Sequence, residues 1–134
     1  MTGRLNDEQG SITAFVAVIA TALVMVAGMA FDGGQVIHAH NAARNDAEQA
    51  ARVGAQQIDI AHLRRTNQIR LDPAAAEAAA VTYLEHIEAT GTATVDGAAI
   101  TVTVTRIQPL RILPGADRRI TVTETATADD GATP

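Results

Sequence analysis

Between Glu8 and Asp32 the chain carries no charge, and within residues 12–31 only Thr13 and Thr21 are polar. A helix of that length rises roughly 30 Å, the thickness of the hydrocarbon layer of a bilayer. Each threonine hydroxyl can bond a carbonyl one turn back, so neither bars insertion. Three structures use such a segment: a membrane span, a helix buried in a soluble core, or a cleaved secretory signal. The polar remainder is too short to surround a helix that is apolar on every side. A secretory signal needs a basic start, a short apolar centre and a small-x-small cleavage site. Gly28-Met29-Ala30 would serve as that site and leave Phe31 first, but the run is long and Arg4 is offset by Asp7 and Glu8. The preferred reading is a leader over 1–11 and a transmembrane helix over 12–31. Asp32 marks the membrane boundary, because a carboxylate is costly to draw inward. Lysine is absent and arginines near the run are few, so charge bias says little about orientation. The long polar part lies C-terminal to the span and is expected outside the cytoplasmic membrane.

Composition removes several functions. The net charge is −5 and no basic run exceeds two residues, which argues against a nucleic-acid partner. The only aromatic residue beyond the apolar run is Tyr83, so there is no platform for stacking bases or sugars. Cysteine is absent, which excludes disulfides, thiolate metal sites and cysteine nucleophiles.

Residues 32–60 contain no proline and are rich in alanine and glutamine, so the helix is expected to continue as a stalk. Val36, Ala39, Ala43, Ala47, Ala50 and Gly54 recur at three- and four-residue steps. Such a stripe of small side chains suits close approach of another helix; the alternative is a solvated stalk. Residues 61–128 read as a small head. His62 to Leu71 is a connector with Arg64, Arg65 and Arg70. Asp72-Pro73 is a helix start, with a capping carboxylate and proline at the first helical position. Ala76, Ala79, Ala80, Tyr83, Leu84 and Ile87 then mark one apolar face, and Gly91 is expected as the C-terminal cap.

Beyond Gly91 the period changes to two. Ile100, Val102 and Val104 alternate with Thr101, Thr103 and Thr105, and Asp96-Gly97 signals a tight turn. Strands are expected over 92–95, 99–107 and 119–128. The loop 108–117 holds Leu110, Ile112 and Leu113 between Pro109 and Pro114. These three either fold back over the sheet or present a contact patch. The tail 129–134 is expected to be disordered. The fold class is α+β: a transmembrane helix continuing into a long amphipathic stalk, then one helix on a three-stranded antiparallel sheet.

These features together resemble the TadE/TadG-like proteins of the tight-adherence (Flp) pilus assembly system. The resemblance rests on Glu8-Gln9-Gly10-Ser11 before the apolar run and Phe31-Asp32-Gly33-Gly34 at its end. It rests also on the alanine-rich stretch from Asn41 to Ala55, and on Thr/Val strands joined through a Pro-Gly loop. It implies a single-pass, pseudopilin-like component, with other pilin-like or assembly-platform subunits and the lipid bilayer as partners. Pilin-type precursors are cut after a glycine, which would place processing between Gly10 and Ser11. They usually carry glutamate at the fifth mature position, where this chain has Phe15. A chain that stays anchored uncut is the alternative.

No chemistry emerges beside this. His38 and His40 point about 200° apart on a helix, and His62 and His86 lie on other elements. No nucleophile elbow or dinucleotide fingerprint is present. The expectation is no catalytic residue, no cofactor, no metal and no small-molecule substrate. A membrane-tethered binding module is the other reading of function.

Overall fold

The computed structural model describes residues 5–111 and 115–128, with side chains from Ile12 onward. Residues 1–4, with Ile112, Leu113 and Pro114 and the tail 129–134, lie outside the described residues.

One helix dominates the molecule. Helix α1 (Leu5–Ala55) is 51 residues long, about 75 Å at 1.5 Å per residue. Alanine and unbranched side chains favour it, and no proline interrupts it. It runs unbroken through Gly33-Gly34, where an added Cβ would meet nothing within 4 Å. Its two halves have different surroundings. The side chains of residues 12–31 stand almost wholly exposed, whereas Asp32, Ala39, Ala43, Ala47, Ala50 and Ala51 are buried. The outer half is therefore a layer of the head itself, covered along its small-residue stripe by the chain that follows it.

The connector after α1 is more structured than its sequence suggested. It contains a short helix, α2 (Ile60–Thr66). The Asp59 carboxylate accepts the His62 N–H at 2.8 Å, and Asn67 closes the helix in the left-handed region at φ 55°. Leu71, fully buried, donates its N–H to the carbonyl of Gly97 and pins the connector to the turn between the first two strands.

Helix α3 (Pro73–His86) starts as Asp72-Pro73 requires, with the Asp72 side chain accepting the Ala75 N–H at 3.1 Å. Ala76, Ala80 and Leu84 are its buried face. Its end corrects the expectation for Gly91. The helix stops at Ile87, and Glu88 takes the left-handed turn at φ 56°. Gly91 belongs to the first strand instead, where a Cβ would lie 2.5 Å from the Thr103 carbonyl oxygen and 2.7 Å from Leu84 Cδ1. A missing side chain there lets α3 sit close on the sheet.

Strands β1 (Thr90–Asp96), β2 (Ala99–Gln108) and β3 (Arg118–Thr127) form an antiparallel sheet in the order β1-β2-β3. Gly97, at φ 62°, supplies the left-handed position of the Asp96-Gly97 hairpin. In register, Thr92 faces Thr103 and Thr103 faces Thr123. The outer face is a threonine surface, with hydroxyl pairs Thr101–Thr125 at 3.0 Å and Thr103–Thr123 at 2.9 Å. The inner face buries Ile100, Val102, Val104, Ile120 and Val122. Helix α1 covers β2 and β3, and α3 packs beside it over β1. The α+β class expected from the sequence is the class observed.

Candidate functional site

No group of three or more histidine, aspartate or glutamate side chains converges to hold a metal among the described residues. His38, His40, His62 and His86 stay dispersed along α1, α2 and α3. The features that can carry function are the bare half of α1, the small-residue stripe and the foot of the head.

The bare half is apolar all round. Phe15 is 65% exposed and Val24 69%, with Val18, Leu23 and Met25 similarly open. The helix is long and apolar enough to cross a membrane. Thr21 spends its hydroxyl on the Ala17 carbonyl at 2.8 Å, so that side chain presents no unmet polar group to a lipid environment. Gly10 and Ser11 lie in the helical backbone of α1 ahead of this run.

The stripe of Ala39, Ala43, Ala47, Ala50 and Gly54 is covered by the chain's own head. A Cβ on Gly54 would come within 2.4 Å of Ile100 Cδ1 and 3.0 Å of the Ala76 carbonyl oxygen. The close helix approach that small residues permit is realised against α3 and the sheet. Ion pairs flank it. Both Nε and Nη2 of Arg106 donate to one carboxylate oxygen of Asp46, with Nε at 3.0 Å. Arg44 reaches Glu124 of β3 at 2.9 Å, and Arg52 pairs with Glu48 one turn back. The Asp46–Arg106 pair is sixty residues apart in sequence, and period counting offers no signal for it.

Asp32 sits where the head begins and is 2% exposed. Its Oδ1 accepts the backbone N–H of Arg111 at 3.4 Å. The loop after β2 therefore returns to α1 at the first residue beyond the apolar run. Leu110 is half-buried there, its Cδ1 3.2 Å from where a Cβ on Gly115 would stand. With Met29, Asp32, Gly33, Val36 and Arg118 it lines a cavity of about 290 Å³. Leu110 thus meets α1 at its foot; Ile112 and Leu113 fall outside the described residues. Sequence reading missed the return of Arg111 and Arg118 to this level of α1. The one available signal was the Arg118-Arg119 doublet that opens β3.

No curated protein and no solved structure matches this chain. The long helix does match: residues 10–57 are similar to the Tad family, described as putative Flp pilus-assembly TadE/G-like proteins.

Proposed function

We propose that this protein is a membrane-anchored, non-enzymatic structural or assembly subunit of pseudopilin type in a Tad/Flp pilus or a related secretion machine. One observation carries the reading. The family match ends at residue 57, and residues 10–57 take in both the bare apolar half of α1 and the half that docks the head. In a pilin-like subunit those two halves have separate jobs: the first sits in the bilayer or among neighbouring helices, and the second displays a folded domain. The anchor runs over residues 12–31, the span is single, and the head lies on the extracytoplasmic side. Partners are the lipid bilayer and other pilin-like or platform subunits, met through the apolar half because the head already uses the small-residue stripe. Processing after Gly10 would leave Ser11 as the new terminus and Phe15 in the position where a carboxylate is usual, so subunit contacts there are apolar.

Fractionation of cells carrying a tagged chain, with N-terminal sequencing of the recovered protein, tests this. The expected product is membrane-bound, resists alkaline carbonate extraction, and begins at Met1, Thr2 or Ser11. A soluble product beginning at Phe31 overturns the anchor. Deletion of the gene should abolish or shorten surface fibres. Intact fibres with loss of binding to an external polymer would favour the membrane-tethered binding module.

A further inference from the structure

We propose that the outer edge of β3 takes up an extended segment of a different polypeptide, added as a fourth strand of the sheet. The register says which backbone groups are available. β2 and β3 pair without a bulge from Ala99–Thr127 to Gln108–Arg118, and the Ala128 N–H reaches the Ala98 carbonyl at 2.8 Å. Hydrogen-bonded residues alternate along an antiparallel pair, so the even-numbered residues of β3 bond to β2. The N–H and C=O groups of Arg119, Thr121, Thr123, Thr125 and Thr127 therefore point the other way. All five residues are exposed, and among the described residues no strand lies beyond them. They form a row about 27 Å long at 3.4 Å per residue. A row of amides and carbonyls at that spacing is matched only by another extended backbone, which sets the form of the occupant.

The opposite edge of the same sheet is guarded. On β1 the outward N–H of Val95 is taken by Oε1 of Glu77, at 3.1 Å, and the Leu71 N–H closes on the Gly97 carbonyl at the hairpin. Helix α3, which carries Glu77, packs along β1. Residues 120–127 of β3 have none of the usual protections of an edge: no proline, no lysine and no bulge. The one charge there, Glu124, is held by Arg44 of α1 at 2.9 Å, and Arg118 and Arg119 guard only the first two positions. The strand is also held stiff, because Ile120 and Val122 are buried where α1 covers the sheet. Little ordering is left for the template when a strand arrives. Thr121, Thr123 and Thr125 would flank it on the outer face, so threonine or valine at its alternate positions suits the row.

A second copy does not fit while α1 is anchored, and this step rests on that reading. Helix α1 runs antiparallel to β2: Asp32 meets Arg111 just past the end of β2, and Gly54 meets Ile100 near its start. Pairing β3 with the β3 of a copy about a two-fold axis reverses the strand and α1 with it. The two bare halves would then point to opposite sides. A copy in the same orientation would present its β1, whose edge Glu77 already caps.

The test is amide hydrogen exchange of the full chain in detergent, read residue by residue. The probe is a synthetic peptide of residues 99–108, the segment that already pairs with β3. It is N-methylated at alternate residues, so that one edge stays open and it cannot stack on itself. In the chain alone the amides of Thr121, Thr123 and Thr125 should exchange fast, and those of Val122 and Glu124 slowly. The peptide should slow the three threonine amides by about tenfold or more, as expected for a new backbone hydrogen bond, and leave the other two unchanged. A peptide methylated on both edges should do nothing. Thr123→Pro, with its melt intact, should abolish the slowing; if that variant does not fold, the two peptides still decide. In cells, a photocrosslinker at Thr121, Thr123 or Thr125 should join the chain to another polypeptide at residues that step by two. Threonine amides already protected in the chain alone would mean that its own residues or a second copy cover the edge, and would overturn the proposal. Equal effects of the two peptides, or crosslinks to a second copy or to nothing, would overturn it as well. Release of the chain by alkaline carbonate would refute the anchor, and the peptide result is read independently of it.

Discussion

The two halves of α1 share one backbone helix and differ in what their side chains are asked to meet. Residues 12–31 are mostly large and apolar, and they stand bare. From Ala39 to Gly54 the buried positions are alanine and glycine, and they lie against Ile100, Val102, Val104, Ile120 and Val122 of the sheet. The pairing is complementary: the sheet supplies the bulk and the helix supplies the space. Hydrophobic burial holds the outer half, whereas residues 12–27 of the inner half are exposed among the described residues. Side-chain size, more than hydrophobicity, distinguishes a helix that packs within its own subunit from one left for lipid or neighbours.

That contrast can be broken by exchanging the sizes. The largest effect should come from removing bulk on α3, where it packs on the sheet. Leu84→Ala, at a side chain 1% exposed, should cost the head about 2–5 kcal/mol in chemical denaturation. Adding bulk on the helix side comes next. Gly54→Leu must displace Ile100 or the α3 backbone, since even a Cβ there would be 2.4 Å from Ile100 Cδ1. Overpacking of this kind costs about 1–3 kcal/mol. The matched change in the bare half, Ala17→Leu, should leave the melt of the head within about 0.5 kcal/mol of the wild type. Comparable losses at Gly54 and Ala17 would show that the halves are not different in kind.

Asp46→Ala should follow, at about 1–3 kcal/mol. It leaves the half-buried Arg106 without the carboxylate that takes two of its N–H groups. A double-mutant cycle with Arg106→Ala separates the pair from lost packing. The smallest effect concerns pH. The Asp59 carboxyl is held below the usual carboxylate range, chiefly because it accepts the His62 backbone N–H. Its folded value lies below its unfolded one, so its contribution is present above pH ~4 and fades as pH falls through the folded value. Asp59→Asn should flatten that part of the acid limb slightly, measured as the melt between pH 5 and pH 2.

Much of this was legible in the residues. Period two in the Thr/Val segments produced the strands and their faces. Asp72-Pro73 and Asp96-Gly97 placed a helix start and a turn by local chemistry. The failures share a cause. Gly91 looked like a helix cap because glycine after an alanine-rich stretch usually is one. Its need for space arises from Leu84 and Thr103, contacts that exist only once the strand and helix are assembled. The stripe on α1 was recognisable as a packing surface, but its occupant depends on where the head returns. The contact of Arg111 with Asp32 was equally hidden, because no local pattern links a loop residue to the end of an apolar run so far upstream.

Gly33 and Gly34 sit between the two halves of α1, with open space where their side chains would be. Taken alone, such a pair is the compliant point of a long rod. The Arg111 N–H on Asp32 crosses to the helix just ahead of it, and Val36 lies in the packed layer just beyond. Loop and sheet together act as a strut across the weak joint. A tensile load along the shaft would reach the head through both routes, and bending would strain the loop before it strained the sheet. The mechanical stiffness of the long helix therefore depends on a backbone contact at the end of its bare half.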